Sequence, residues 1–134
     1  MGKNKYQKIE TKKIIPIEDH SKARVENLKN KIIKESWQKP IVVFFNKKNN
    51  LYHVLDGHHR FQISKDMFLK KIPAIVVKDY KMIKIKSLRE NIEISHEKVI
   101  QNSIDGKIYP YKTVQHYFDF EIPENINVNI EELV

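Results

Sequence analysis

Between Ile41 and Phe61 the chain passes through a succession that few folds accept. Ile41-Val42-Val43-Phe44-Phe45 is a continuous apolar run of strand length, the signature of a strand covered on both faces. The polar stretch Asn46-Lys47-Lys48-Asn49-Asn50 predicts a hairpin-type loop, and Leu51-Tyr52-His53-Val54-Leu55 the returning strand. That strand runs through Asp56 and a single glycine, Gly57, into a helical pattern from His59 to about Phe68, with Phe61, Ile63, Ser64 and Met67 on the inward side. A buried strand that enters a helix N-terminus through one glycine is an anion site by construction. The free N–H groups of the first turn and the positive end of the helix dipole favour phosphate, and Gly57 lets the backbone approach it. Arg60 offers a planar fork of donors, and His58 and His59 add more. Asp56, a carboxylate beside an anion site, makes sense where a divalent cation bridges it to phosphates.

The flanking segments extend the pattern. Lys13-Ile14-Ile15-Pro16-Ile17 predicts a short first or edge strand, because Pro16 cannot donate to a central ladder, and Glu18 stands at its end. Ser21 predicts the cap of a helix over Lys22 to Glu35 whose inward face carries Val25, Leu28, Ile32 and Glu35, closed by Trp37 and Pro40. Ile72 to Val77 is the next strand. Beyond it, Met82 to Leu88 alternates like a strand, Ser95 caps a helix to about Ile104, Asp105-Gly106 stops it, and Val114 to Phe120 reads as a strand. Trp37, Phe44, Phe45 and Phe68 are assigned to the core. The expected organisation is a basic flexible lead-in over residues 1–11 and one compact α+β domain over 12–134, a mixed sheet flanked by helices.

Composition narrows the chemistry. The 134 residues are 40% apolar, enough for a core despite a net charge of +8, and they contain no cysteine. Thiol catalysis, disulfides and thiolate metal sites are thereby excluded. Of the 25 basic residues 22 are Lys and only Arg24, Arg60 and Arg89 are Arg, which reads as lysine spread over a solvated surface. No apolar stretch approaches a membrane span, so a soluble cytoplasmic protein is expected. His20, His53 and His96 are scattered without metal-ligand spacing.

Pro16-Ile17-Glu18, the following helix, the hairpin, Asp56-Gly57-His58-His59-Arg60 and Ile72-Pro73-Ala74-Ile75-Val76 together resemble the ParB/sulfiredoxin-type fold. Within that superfamily they are most similar to the free-serine kinases, which carry Pro-x-Glu near the start and Asp-Gly-His-His-Arg at the phosphate-binding helix. The resemblance implies transfer of a phosphoryl group from ATP or ADP, with Mg²⁺, to a hydroxyl of serine or a serine-like metabolite. It implies Glu18, Asp56 and His59 as catalytic residues, with Glu18 taking the hydroxyl proton. Gly57, His58, His59 and Arg60 form the nucleotide-phosphate cradle, Asp56 is the metal-side carboxylate, and Lys112, Thr113 and His116 are substrate-binding residues.

Where those kinases have Thr-Arg late in the chain, this one has Val114-Gln115, which removes a hydroxyl and a cation and leaves the acceptor open. Sulfiredoxin chemistry requires a cysteine and is excluded. The roughly fifty residues after Tyr80 leave no room for a ParB-type helix-turn-helix module, so nucleic acid is not the expected partner. A nucleotide-binding or DNA-associated module without turnover is the alternative reading, and a second subunit completing the pocket stays open.

Overall fold

The computed structural model describes residues 5–134. A five-stranded mixed sheet of order β1-β5-β3-β4-β2 forms its centre. Its strands are β1 (Gln7–Glu10), β2 (Ile14–Ile15), β3 (Ile41–Asn46), β4 (Leu51–Asp56) and β5 (Lys71–Val77). β3 pairs antiparallel with β4 and parallel with β5, while β2 runs parallel to β4 and β1 antiparallel to β5. The helices α1 (Lys22–Glu35) and α2 (His58–Asp66) cover one face. On the other lie α3 (His96–Ile104) and a two-stranded sheet of β6 (Lys84–Ser87) and β7 (Val114–Tyr117).

The apolar run in β3 is buried on both sides from Ile41 to Val43, as its lack of alternation implies, whereas Phe44 and Phe45 are half-buried and Phe45, assigned to the core, joins neither core cluster. Ile41 and Val43 join the cluster under α1 and α2, with Val25, Ile32, Phe61, Ile63 and Trp37, whereas Val42 joins Ile17, Leu55, Ile75, Tyr80 and Val99 on the other face. The β3–β4 register shifts between Val42, opposite Asp56, and Val43, opposite Val54, so that Leu55 has no partner across the pair. That bulge kinks β4 one residue before Asp56 and directs the strand end towards the site.

Three expectations need correction, and two strands are shortened, the one expected over Met82 to Leu88 forming only over Lys84–Ser87. Gln7–Glu10, assigned to a flexible lead-in, form edge strand β1 with Ile9 buried; Met1 to Asn4 lie outside the described residues. One apolar side chain among four residues is too weak a periodic signal to mark a strand whose pairing comes from β5. Phe68 is 89% exposed rather than core. α2 ends there in a left-handed residue (φ 54°), the Leu69 N–H returns to the Ser64 carbonyl at 2.8 Å, and Leu69 takes the buried place. Glu35 is exposed in the last turn of α1. The strand expected over Val114 to Phe120 stops at Tyr117.

The Ser21 cap is present, its Oγ accepting the Arg24 N–H at 3.3 Å, and Ser95 caps α3 in the same way at 3.1 Å. The last residues also hold the fold together. Val128 pairs with Trp37, and the Leu133 carbonyl accepts the N–H groups of Lys70 and Lys71 while its side chain is fully buried. No helix among the described residues is long and apolar enough to cross a membrane.

Candidate active site

Gly57 adopts φ 99°, a left-handed conformation that L side chains rarely take, and a Cβ built there would stand 2.5 Å from Cγ2 of Ile41. The glycine is therefore required by the close approach of the turn to β3 as well as by its backbone angle. It starts α2 without a side-chain cap, so the N–H groups of the first turn remain available to an anion.

Beside this turn is a cleft of about 300 Å³ lined by Glu18, Asp19, Arg24, Asp56, Gly57, His58, His59, Tyr111, Lys112, Val114, Gln115 and His116, among others. Most of the residues expected at the site thus meet in one place, although Glu18, Asp56 and Lys112 are far apart in sequence. Two tie points bring the tail to Glu18. The Tyr109 N–H donates to the Ile17 carbonyl at 3.0 Å, and the Asp19 N–H donates to the Tyr109 carbonyl at 2.8 Å.

The turn that follows then closes on the Glu18 carboxylate. Lys112, with φ 58°, donates its N–H to Oε2 at 3.1 Å, and the N–H groups of Thr113 and Val114 donate to Oε1 at 3.3 and 2.9 Å. A carboxylate offers about four lone-pair positions. Three are used here, and the free one is on Oε2. Burial pushes the Glu18 carboxyl above the ordinary carboxylate range, outweighing the opposing pull of the three amide bonds and of Arg89.

The two histidines face the main chain. His58 Nε2 accepts the N–H groups of Ile17 at 3.1 Å and Glu18 at 3.4 Å, and His59 Nε2 accepts the N–H of Ser21 at 3.1 Å. Desolvation, followed by nearby His116, His59 and His20, lowers His58 to about 3. His59 is also lowered, first by desolvation and then by Arg24, His20, Arg60 and Lys112. His116 is buried, with Nε2 2.9 Å from the Tyr80 hydroxyl and Nδ1 unpartnered, and desolvation lowers it to about 4.

Two expected site residues stand elsewhere. Arg60 lines a neighbouring cleft with Arg24, Asn27, Leu28, Lys31 and His59, and burial is the first cause that lowers its pKa. Thr113 is fully buried and its hydroxyl donates to the Pro110 carbonyl at 2.6 Å, so only its backbone N–H serves the site. Sequence reasoning also missed Arg24, Arg89 and Tyr111. Arg24 donates through Nη1 to the Tyr111 hydroxyl at 2.7 Å and borders both clefts. Arg89 reaches the Tyr111 carbonyl at 2.6 Å and Thr113 Oγ1 at 3.2 Å, holding the turn that caps Glu18. Arginine scarcity was the available signal, since all three arginines of the chain flank this site.

Residues 2–92 match the family described as the ParB N-terminal domain. The chain belongs to that family. An ATP-dependent L-serine kinase of Staphylothermus marinus is 37% identical over 73 residues, which are 54% of this chain and 29% of that protein. The match therefore spans less than a third of the relative's length. Among solved structures, a free serine kinase in complex with AMP has a TM-score of 0.87 at 15% identity, covering 98% of this chain and 95% of the other. The C-terminally truncated chromosome-partitioning protein ParB from Caulobacter crescentus, complexed with CTP-gamma-S, has a TM-score of 0.50 at 17% identity over 57% of this chain and 46% of its own. These likenesses show the fold, one compact α+β domain of the ParB/sulfiredoxin type, as the Asp-Gly-His-His-Arg motif implied.

Proposed function

We propose that the protein is a small-molecule kinase that transfers a phosphoryl group from ATP or ADP to a hydroxyl of serine or a serine-like metabolite. One observation carries this reading. A partly desolvated carboxylate with one open lone pair, Glu18 Oε2, shares a cleft with the uncapped N-terminus of α2. Phosphoryl transfer asks a protein mainly to position reactants and neutralise charge, with one base for the attacking hydroxyl.

In this reading the acceptor oxygen attacks the terminal phosphorus and the bond from phosphorus to the bridging oxygen breaks. The hydroxyl proton passes to Glu18 Oε2, and the shortened nucleotide leaves with the bridging oxygen. The first-turn amides of α2 stabilise charge on the phosphoryl oxygens, with Arg24 and Lys112 at the cleft wall. Arg60 and Lys31 extend the positive surface into the adjoining cleft, where the remainder of the nucleotide has room. His116 and Lys112 stand where the acceptor would enter. Gln115, on the same wall, is neutral, so serine's carboxylate would rely on Lys112 and Arg24.

Among the described residues no group of three or more His, Cys, Asp or Glu forms a metal cage. Mg²⁺ commonly takes only one or two protein carboxylates and completes its shell with substrate phosphates and water, so Asp56 fits that role. The ion would supply charge neutralisation at the phosphates. A cytoplasmic location, where ATP and ADP are abundant, agrees with this reading.

Phosphorus NMR of the protein with ATP or ADP, Mg²⁺ and L-serine is expected to show a phosphomonoester growing as the donor's terminal phosphate disappears. The alternative is favoured by one feature, the three amide bonds, which in a module without turnover would be the whole task of the Glu18 carboxylate. No product from serine or any other hydroxylated metabolite, together with tight salt-sensitive DNA binding, would establish a module without turnover.

A further inference from the structure

We infer that His58 and His59 are positioning residues, whose Nε2 atoms accept main-chain N–H groups at both ends of the Ile17–Ser21 segment and thereby set where the Glu18 carboxylate stands. The inference deepens the kinase reading and, in its link to turnover, rests on it.

Three hydrogen bonds carry it. The N–H groups of Ile17 and Glu18 end on His58 Nε2, and that of Ser21 on His59 Nε2. The segment between has little regular pairing, only the bridge of Glu18 to Tyr109. Ile17 is 1% exposed, so its N–H, deprived of the imidazole, would be buried without a partner. Ser21 is the cap of α1, and fixing its N–H fixes where that helix begins. Adjacent residues on a helix project about 100° apart. Two consecutive histidines at the start of α2 therefore reach two separated points on a segment some forty residues earlier.

An imidazole nitrogen that accepts an N–H carries no proton, so each ring holds its proton on Nδ1 and is neutral. A nitrogen in that state cannot donate to a phosphate oxygen. Nε2 of both rings is thereby withdrawn from the phosphate cradle, in which only an Nδ1–H could join the backbone amides, arginines and lysine, while the acceptor nitrogens serve the carboxylate from behind. Glu18 is thus held from two sides, its backbone by α2 and its side chain by the amides of residues 112–114.

Four variants, His58→Ala, His58→Gln, His59→Ala and His59→Gln, test this, since glutamine keeps an acceptor oxygen at similar reach. Turnover with L-serine, ADP affinity by calorimetry with Mg²⁺, and the amide resonances of Ile17, Glu18 and Ser21 are read for each. His58→Ala is expected to lower kcat on the order of 100-fold, the cost of a misplaced reacting group, while the Kd for ADP changes less than about threefold. The Ile17 and Glu18 amides should shift, and His58→Gln should restore most of the rate. A loss of ADP affinity that accounts for the whole loss of kcat/KM, with those amides unmoved, would make His58 a phosphate ligand and overturn the inference. Should the alanine variants not fold, the ¹⁵N spectrum of the wild-type imidazoles decides, because Nε2 must be unprotonated at neutral pH in both rings. A protein that shows no turnover would remove the kinase reading, yet the amide shifts and the imidazole spectrum would still judge the positioning role.

Discussion

Asp56 to Arg60 and Tyr109 to Val114 build one cleft by opposite means. The first is a contiguous motif whose side chains announce it, yet its histidines turn their acceptor nitrogens to the main chain and Arg60 leaves for the adjoining cleft. The second has no motif that reaches Glu18 by side-chain chemistry, and what it delivers is three backbone N–H groups. Side-chain type signals where a site is. Which atom of a residue does the work depends on the turn that presents it, and one element can need the other to be complete.

Acid should strike both regions at once and have the largest effect. His58 on the motif side, His116 on the tail side and His53 in the core are lowered by desolvation from the ordinary 6.5 to about 3, 4 and 4. The unfolded chain binds protons at these rings first, so their contribution is complete above pH 6.5 and is lost progressively as pH falls towards 4. At about 1.4 kcal/mol per pKa unit the loss is on the order of several kcal/mol in total. Urea unfolding followed from pH 7.5 to 4.5 should show it as a steep fall in midpoint, and a flat profile would remove the neutral-histidine account.

Gly57→Ala breaks the motif side alone. The left-handed angle and the collision with Ile41 together should cost about 3 kcal/mol, measured by the same unfolding assay at pH 7.5. A variant as stable as the parent would mean that the turn relaxes freely. The smallest effect belongs to the tail. Thr113→Val removes the hydroxyl that bonds the Pro110 carbonyl and accepts from Arg89, and should cost about 1 kcal/mol. If the turn over Glu18 loosens with it, turnover falls while the Kd for ADP stays unchanged.

Much of the architecture was legible because local signals agreed with one another. Ser21 and Ser95 marked helix starts, the unbroken apolar run marked β3, and Pro16 kept its segment at the sheet edge. β1 was not legible, since Gln7-Lys8-Ile9-Glu10 becomes a strand only because β5 offers it an edge. Glu18, Asp56 and His116 were legible as chemistry and do meet. Arg24, Arg89 and Tyr111 were not, because nothing in a sequence states that an exposed arginine on α1 will touch a tyrosine 87 residues later.

Phosphoryl transfer in this protein depends on Glu18 as the group that takes the acceptor's proton. Glu18→Gln keeps the size of the side chain and removes its basicity, so the direct measurement is initial phosphoryl-transfer rate with ATP or ADP, Mg²⁺ and L-serine, beside calorimetric ADP affinity. A fall of about 100-fold or more in rate, with ADP bound as tightly as by the parent, is the result expected of a lost general base. In the parent the rate should also decline as pH drops through a Glu18 pKa lying above the ordinary carboxylate range. A variant that transfers phosphate as fast as the parent would contradict the account.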